Sequence, residues 1–361
     1  MNRVSRLFAG LGAALALGLA ASGAVRADDP LKVAFVYTGP VGDHGWSYQH
    51  NVGRQAVEKA FGDKVKTTYV ENVSDGPDAE RVIEQLAAGG AKLIFTTSFG
   101  FMNPTLKVAK RHPEVKFEHA TGFKRADNLA TYNARFYEGR YVAGVVAAKM
   151  SKSGTIGYIA SFPIPEVVMG VNAAYLGAKT VNPNIKIKII WVSSWFDPGK
   201  EADAAKALIN QGADVLMQHT DSPAAMKLAE ERGVYAIGQS SDMADFGPRA
   251  QLTSVEDHWD EYYIARVKAV MDGTWTSTDT WGGLKDGMVV LAPYGKAVPE
   301  DVARLADETK QAIVDGRLKP FTGPLNKQDG SVWLKQGESA PDKDLLSMNF
   351  YVEGVEGGLP K

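Results

Sequence analysis

Apolar positions along this chain follow two periods. Near-unbroken apolar runs such as Leu31-Lys32-Val33-Ala34-Phe35-Val36-Tyr37 and Leu93–Thr97 read as strands buried on both faces. Between them, Val52, Ala56, Val57 and Ala60 fall on one side of a helix over Tyr48–Phe61. The same reading predicts a strand at 65–71, a helix at 78–88 stopped by Gly89-Gly90, and a helix at 104–111. It continues with strands at 116–120 and 129–136 and a helix at 137–150. After Ser151-Lys152-Ser153-Gly154, read as a hinge, the order recurs. Strands are predicted at 155–161, 186–192, 214–218 and 234–237, and helices at 166–181, 200–211 and 222–232.

The recurrence is also one of letters. "RVIEQLAAGGAKLIFTT" (81–97) is echoed by "AAKALINQGADVLMQHT" (204–220), and Gly90 and Gly212 lie 122 residues apart (212 − 90), in step with the two opening strands. The expected fold is α/β, with two similar Rossmann-like lobes of parallel sheet joined by several chain crossings. From Gln251 a strand, a helix over 260–273, another strand in "GMVVLAPYG" and a helix over 299–315 are expected to cross between lobes again. The predicted boundaries are 28–150 with about 254–285 for the first lobe, and 151–253 with about 286–361 for the second. The tail from Gln328 is expected to form a small strand pair or to wrap the second lobe.

Bulk properties narrow the function. The 361 residues suit about two domains. A net charge of −2 with scattered Lys and Arg makes no case for a nucleic acid or an anionic membrane as partner. Residues 1–27 read as a secretory signal peptide: Arg3 and Arg6, an apolar stretch over Leu7–Ala24, then Val25-Arg26-Ala27 before Asp28. The chain has no cysteine, hence no disulfide, thiolate nucleophile or lipid-anchoring Cys. A periplasmic protein is expected.

Two facing lobes make a cleft, and in open α/β sheets ligands sit outside the carboxyl ends of the strands. That rule selects Asp43, Trp46 and Ser47 after the first strand, and Ser98, Phe99, Phe101 and Asn103 after the 93–97 strand. In the second lobe it selects Phe162, Trp195, Phe196, His219, Asp221, Ser240, Ser241 and Asp242. Aromatic rings from both lobes suit a planar heteroaromatic ligand, held by stacking. Asp43, Asn103 and His219 have the donors and acceptors to read a base edge. Each also has a structural reading: a turn-capping carboxylate, a helix N-cap before Pro104, and a satisfied buried histidine. Trp46 also has a core reading, and either Trp195 or Phe196 can be the core residue of that pair. No Gly-x-Ser-x-Gly elbow, His-Glu-x-x-His pair, Walker motif or dinucleotide fingerprint occurs, which argues against an enzyme and against a bound cofactor.

Five motifs in order resemble the basic membrane protein (Bmp/PnrA-like) family of substrate-binding proteins that feed ABC importers. They are "GPVGDHGWSY", "TTSFGFMNP", "ARFYEGRYVAGVVAAKM", "WVSSWFDPGKEADAAKALINQGADVL" and "AIGQSSDM". The resemblance implies a type I periplasmic binding fold, a purine ligand and a membrane permease as partner, with the receptor a monomer. It places Trp46 on the family's purine-stacking Phe and Asp242 on the Asp that bonds ribose hydroxyls. The family's Lys after "LTS" has no counterpart; the local sequence is Val255-Glu256-Asp257-His258-Trp259. A missing Lys and a bulky Trp259, counted here among the ligand residues, favour a free base such as adenine over a nucleoside. A purine-nucleoside receptor, a sugar or flavin receptor, and a periplasmic nucleoside- or sugar-processing enzyme are the alternatives.

Overall fold

A computed structural model describes residues 29–42 and 44–360. The proposed signal peptide and Asp43 lie outside the described residues. The first half alternates β1 (Leu31–Val36), α1 (Gly45–Phe61), β2 (Val65–Val70), α2 (Pro77–Ala88), β3 (Leu93–Thr96), α3 (Met102–Arg111), β4 (Lys116–Ala120), β5 (Leu129–Ala134) and α4 (Phe136–Met150). The second half repeats the pattern. It comprises β6 (Thr155–Ala160), α5 (Pro165–Val181), β7 (Lys186–Trp191), α6 (Pro198–Asn210), β8 (Val215–His219), α7 (Ala224–Arg232), β9 (Tyr235–Ser240) and β10 (Gln251–Asp257). Then follow α8 (Asp260–Met271), β11 (Asp279–Gly282), β12 (Val289–Leu291), α9 (Glu300–Val314), β13 (Leu325–Asn326), β14 (Val332–Leu334) and α10 (Asp342–Leu345).

The two six-stranded sheets have matching orders: β2-β1-β3-β4-β5-β11 and β7-β6-β8-β9-β10-β12. The first is parallel throughout; the second is parallel but for its edge strand β12. Central strands are apolar in consecutive positions because helices cover both faces. In each sheet the order reverses beside the first strand, at β1/β3 and β6/β8. Diverging loops open a crevice there, at the carboxyl ends.

The boundary between the lobes differs from the expectation. The chain leaves the first sheet at Arg135, before α4 rather than after it. α4 is apolar on nearly all sides and therefore needs burial all round. It finds this against α5, α9 and β10 of the second lobe. Small residues make the fit: a Cβ on Gly144 would stand 2.1 Å from the Ala174 carbonyl oxygen, and one on Gly177 2.0 Å from that of Tyr141. Residues 151–154 are a turn within the second lobe, where the Asp214 carboxylate accepts from Ser151 Oγ and from the Lys152 and Ser153 amides. β10 likewise stays wholly in the second sheet. The chain returns to the first lobe as α8, which packs on α1 across Gly53, and β11, an edge strand absent from the sequence reading. A buried Glu118 on β4 holds this returning segment, accepting from Tyr262, Arg266 and Trp275.

The tail wraps the second lobe. The Asn172 amide on α5 donates to the Phe350 carbonyl and accepts from the Val352 amide. Asp342 then returns to the first crossing, where it pairs bidentately with Arg135 at 2.7 and 2.9 Å. The α4–α5 contact generates a prediction whose sign is opposite to helix propensity. In an open helix, Gly→Ala gains up to about 1 kcal/mol. Gly177→Ala should instead lower stability by about 1–3 kcal/mol through overpacking, read as a lower urea midpoint at unchanged m-value.

Candidate functional site

A cavity of about 330 Å³, including its open mouth, lies between the lobes at the two switch points. Thr38, Trp46, Ser98, Phe99 and Thr121 line it from the first lobe, and Glu166, Trp195, His219, Asp221 and Gln239 from the second. Each follows or ends a strand, or opens the helix after it, which is why the fold gathers them. The backbone is constrained here. All five non-glycine residues with positive φ among the described ones, His44, Asn72, Thr121, Ser193 and Ser240, sit at or after the carboxyl ends of strands.

The lobes touch across the mouth of α1. Gly45 (φ +77°) donates its amide to Ser241 Oγ at 2.8 Å, and a Cβ there would stand 2.3 Å from the Asp221 carbonyl oxygen. His44 Nδ1 lies 2.8 Å from the Asp242 carbonyl oxygen. Glycine at 45 therefore permits both the left-handed turn and the close approach.

Trp46 is held rigidly. Its indole donates to the Thr97 carbonyl at 2.6 Å, and it meets His50, Phe136 and Trp259 edge-on. Across the cavity, Trp195 packs on Phe162, with ring centres 5.1 Å apart. Aromatic walls thus stand on both lobes, with acceptors between them. Glu166 Oε2 and Gln239 Oε1 are buried without a protein hydrogen-bond partner, as is His219 Nδ1. His219 Nε2 is 3.4 Å from Glu166 Oε1. Burial lowers the His219 pKa, against the pull of Glu166, so the ring is neutral at pH 7. Behind it Arg140 is buried, and its positive charge acts on Tyr158, His219 and Asp257. Burial raises Asp221 and Asp257 well above the ordinary carboxylate range; nearby Glu201 adds to the rise at Asp221, and the Trp46 amide opposes it.

Of the residues read from the sequence, Trp46, Ser98, Phe99, Trp195, His219 and Asp221 line the cavity. Phe162 forms its rim beside Phe99 and Trp195. Others are placed elsewhere. Ser47 is buried, its hydroxyl taken by the Gly39 amide, and Phe196 lies near Gly39. Phe101 points into the outer core among Ile83 and Val108, because the short turn at 99–101 rotates it away from the cleft. Asn103 is exposed, bonded to Lys124 Nζ. Asp242 is exposed, and its carboxylate accepts from Gln251 and the Ala244 amide. Trp259 is fully buried behind Trp46, stacked on His50 at 4.8 Å, and does not reach the cavity. Thr38, Thr121, Glu166 and Gln239 escaped the sequence reading. Gln239 could have been found by carrying the 234–237 strand two residues further, and Glu166 as the acid in the first turn of a helix opened by Pro165.

The family described as ABC transporter substrate-binding protein PnrA-like (Bmp) matches residues 31–329. This chain belongs to that family. A purine-binding protein of Brucella abortus (strain 2308) is 60% identical over 344 residues, 95% of this chain and 98% of its own. A putative ABC transporter glucose-binding protein of Haloferax volcanii is 38% identical, over 92% of this chain and 82% of its own. Among solved structures, an ABC transporter solute-binding protein from Aeropyrum pernix K1 matches with a TM-score of 0.70 at 21% identity, covering 80% of this chain and 93% of its own. That likeness shows the fold, the type I periplasmic-binding architecture. As a PnrA-like substrate-binding protein the chain is an extracytoplasmic, non-enzymatic component of an ABC transporter. No described helix is long and apolar enough to cross a membrane. Among the described residues no group of three or more His, Asp or Glu is placed to hold a metal ion.

Glu201 ties together the second-lobe loops that reach the cavity. Its carboxylate accepts from the Asp197 amide at 3.0 Å, beside Trp195, and from the Ser222 amide at 3.2 Å, beside Asp221. Burial pushes its pKa up to about 7. A carboxyl raised on folding adds stability below its unfolded value, near 4.5, and loses it as pH rises through the folded value. The protein should therefore lose up to about 3 kcal/mol between about pH 4.5 and 7.5 from this group. Melting temperatures across that range should show a weaker pH slope in Glu201→Gln than in the native chain.

Proposed function

We propose that this chain is the periplasmic receptor of a purine importer, that it works as a monomer, and that its preferred ligand is a free aminopurine base such as adenine. The observation that carries this reading is the lining itself: aromatic walls from both lobes, with buried unpartnered acceptors between them. A planar base stacks on such walls. Adenine has an exocyclic amine and an imidazole N–H, and both need acceptors. Attaching ribose removes the second N–H.

Further features favour base over nucleoside. Asp242, which the resemblance assigns to ribose, is engaged outside the cavity. The hydroxyls of Thr253 and Ser254 are spent on the Ala292 and Ser241 carbonyls. Trp259 plays no part in this preference, since it lies behind Trp46. The name of the Brucella relative, of which this chain covers nearly the whole, supports the purine class.

Ligand binding that draws both lobes onto one base stabilises the closed form through its differential affinity, and a permease would read that form. Calorimetry on protein unfolded and refolded to strip carried ligand tests the reading. Adenine should bind well ahead of adenosine, hypoxanthine and glucose. Trp195→Ala should weaken adenine by about 1–3 kcal/mol. Preference for adenosine would overturn the free-base reading, and preference for glucose the purine one.

A further inference from the structure

Beside the interlobe cavity lies a second one, about 910 Å³ including its open mouth. The two are adjacent, with Phe99, Thr121 and Glu166 as common walls. The added walls are mainly apolar, with Phe123 from the first lobe, Ile164 and Met169 from the second, and Leu346 from the tail, while Asn133, Lys343 and Ser347 add polar edges. The tail wall stands beyond residue 329, where the family match ends. Phe123 is 64% exposed and Leu346 45%. They are two of the five exposed large hydrophobics among the described residues, and both flank this one cavity. Exposed apolar groups gathered around a cavity mark a surface that gains by being covered.

Glu166 stands at the junction. Its side chain is nine-tenths buried, one oxygen is near His219, and Oε2 has no protein partner. A carboxylate that lines both the interlobe cavity and a mainly apolar chamber suits one ligand chemistry. We propose that this chain binds N6-substituted aminopurines, the secondary amine donating to Glu166 and its alkyl or aryl substituent filling the tail-walled chamber. The proposal rests on the purine reading above and extends it to a substrate class.

The test is calorimetry of the ligand-stripped chain with adenine, N6-benzyladenine, N6-benzyl-N6-methyladenine and adenosine. N6-benzyladenine should bind at least about tenfold more tightly than adenine, given the apolar area it covers. The N6-methyl derivative lacks the N–H and should lose that gain. The double variant Phe123→Ser/Leu346→Ser changes only exposed side chains outside the base cavity. It should bind adenine as the native chain does and lose the gain for the benzyl compound. If N6-benzyladenine binds no better than adenine, or its gain survives the double variant, the proposal falls while the purine reading stands. A gain for adenosine in its place would make the chamber a sugar site, and the proposal would fall in the same way. Absence of binding by every purine would overturn both.

Discussion

The contact on which the rest depends is the edge-on packing of Trp46 against Phe136 and Trp259. Phe136 opens α4 just after the first crossing between lobes, and Trp259 directly precedes α8 just after the second. Trp46 is a wall of the interlobe cavity. One aromatic cluster therefore joins the hinge to the site. His50 stacks on Trp259 and bonds Tyr263, which in turn bonds Tyr132 at 2.8 Å, so the cluster runs down into the first lobe's core. Burial keeps His50 neutral, and it behaves as one more ring in the stack. Rings packed at right angles resist sliding, so the plate presented to a ligand is oriented before the ligand arrives.

Against this stiff aromatic side, the second lobe offers polar groups that are costly to bury. Glu166, Gln239 and His219 each keep a buried atom with no protein partner, and Asp221 beside them is desolvated, opposed only by the Trp46 amide. A buried unpaired acceptor costs about 1–3 kcal/mol. A ligand that satisfies several at once recovers that cost, whereas one lacking a matching N–H leaves it standing. Selectivity in such a site comes mainly from what a wrong ligand leaves unpaired.

Much of the architecture was legible because periodicity reports burial. The two-lobed α/β order, the strand runs and the placing of Trp46, Phe99, Trp195, His219 and Asp221 at strand ends all follow from it. What failed was direction. Helical periodicity marks α4 as buried, but which sheet buries it depends on Gly144 and Gly177 meeting backbone across the α4–α5 contact. Phe101 and Phe99 share one turn yet face opposite sides of the sheet, because two residues of a tight turn rotate a side chain through most of a circle. Trp259 fills the space behind Trp46 rather than the cleft, a matter of depth that spacing along a chain does not carry. β11 is four residues long, and its burial comes from a neighbour distant in sequence.

The triple crossing also bears on how the molecule comes to be made. The first sheet cannot close at Ala134, because β11 and the covering helix α8 are supplied only after β6–β10 of the second lobe. Until then a growing chain carries β5 as a bare edge and α1 without its partner. Such non-local pairing folds slowly and leaves adhesive strands waiting. The first lobe is thus completed late in the chain, with Asp279–Gly282 as the final stave of its sheet.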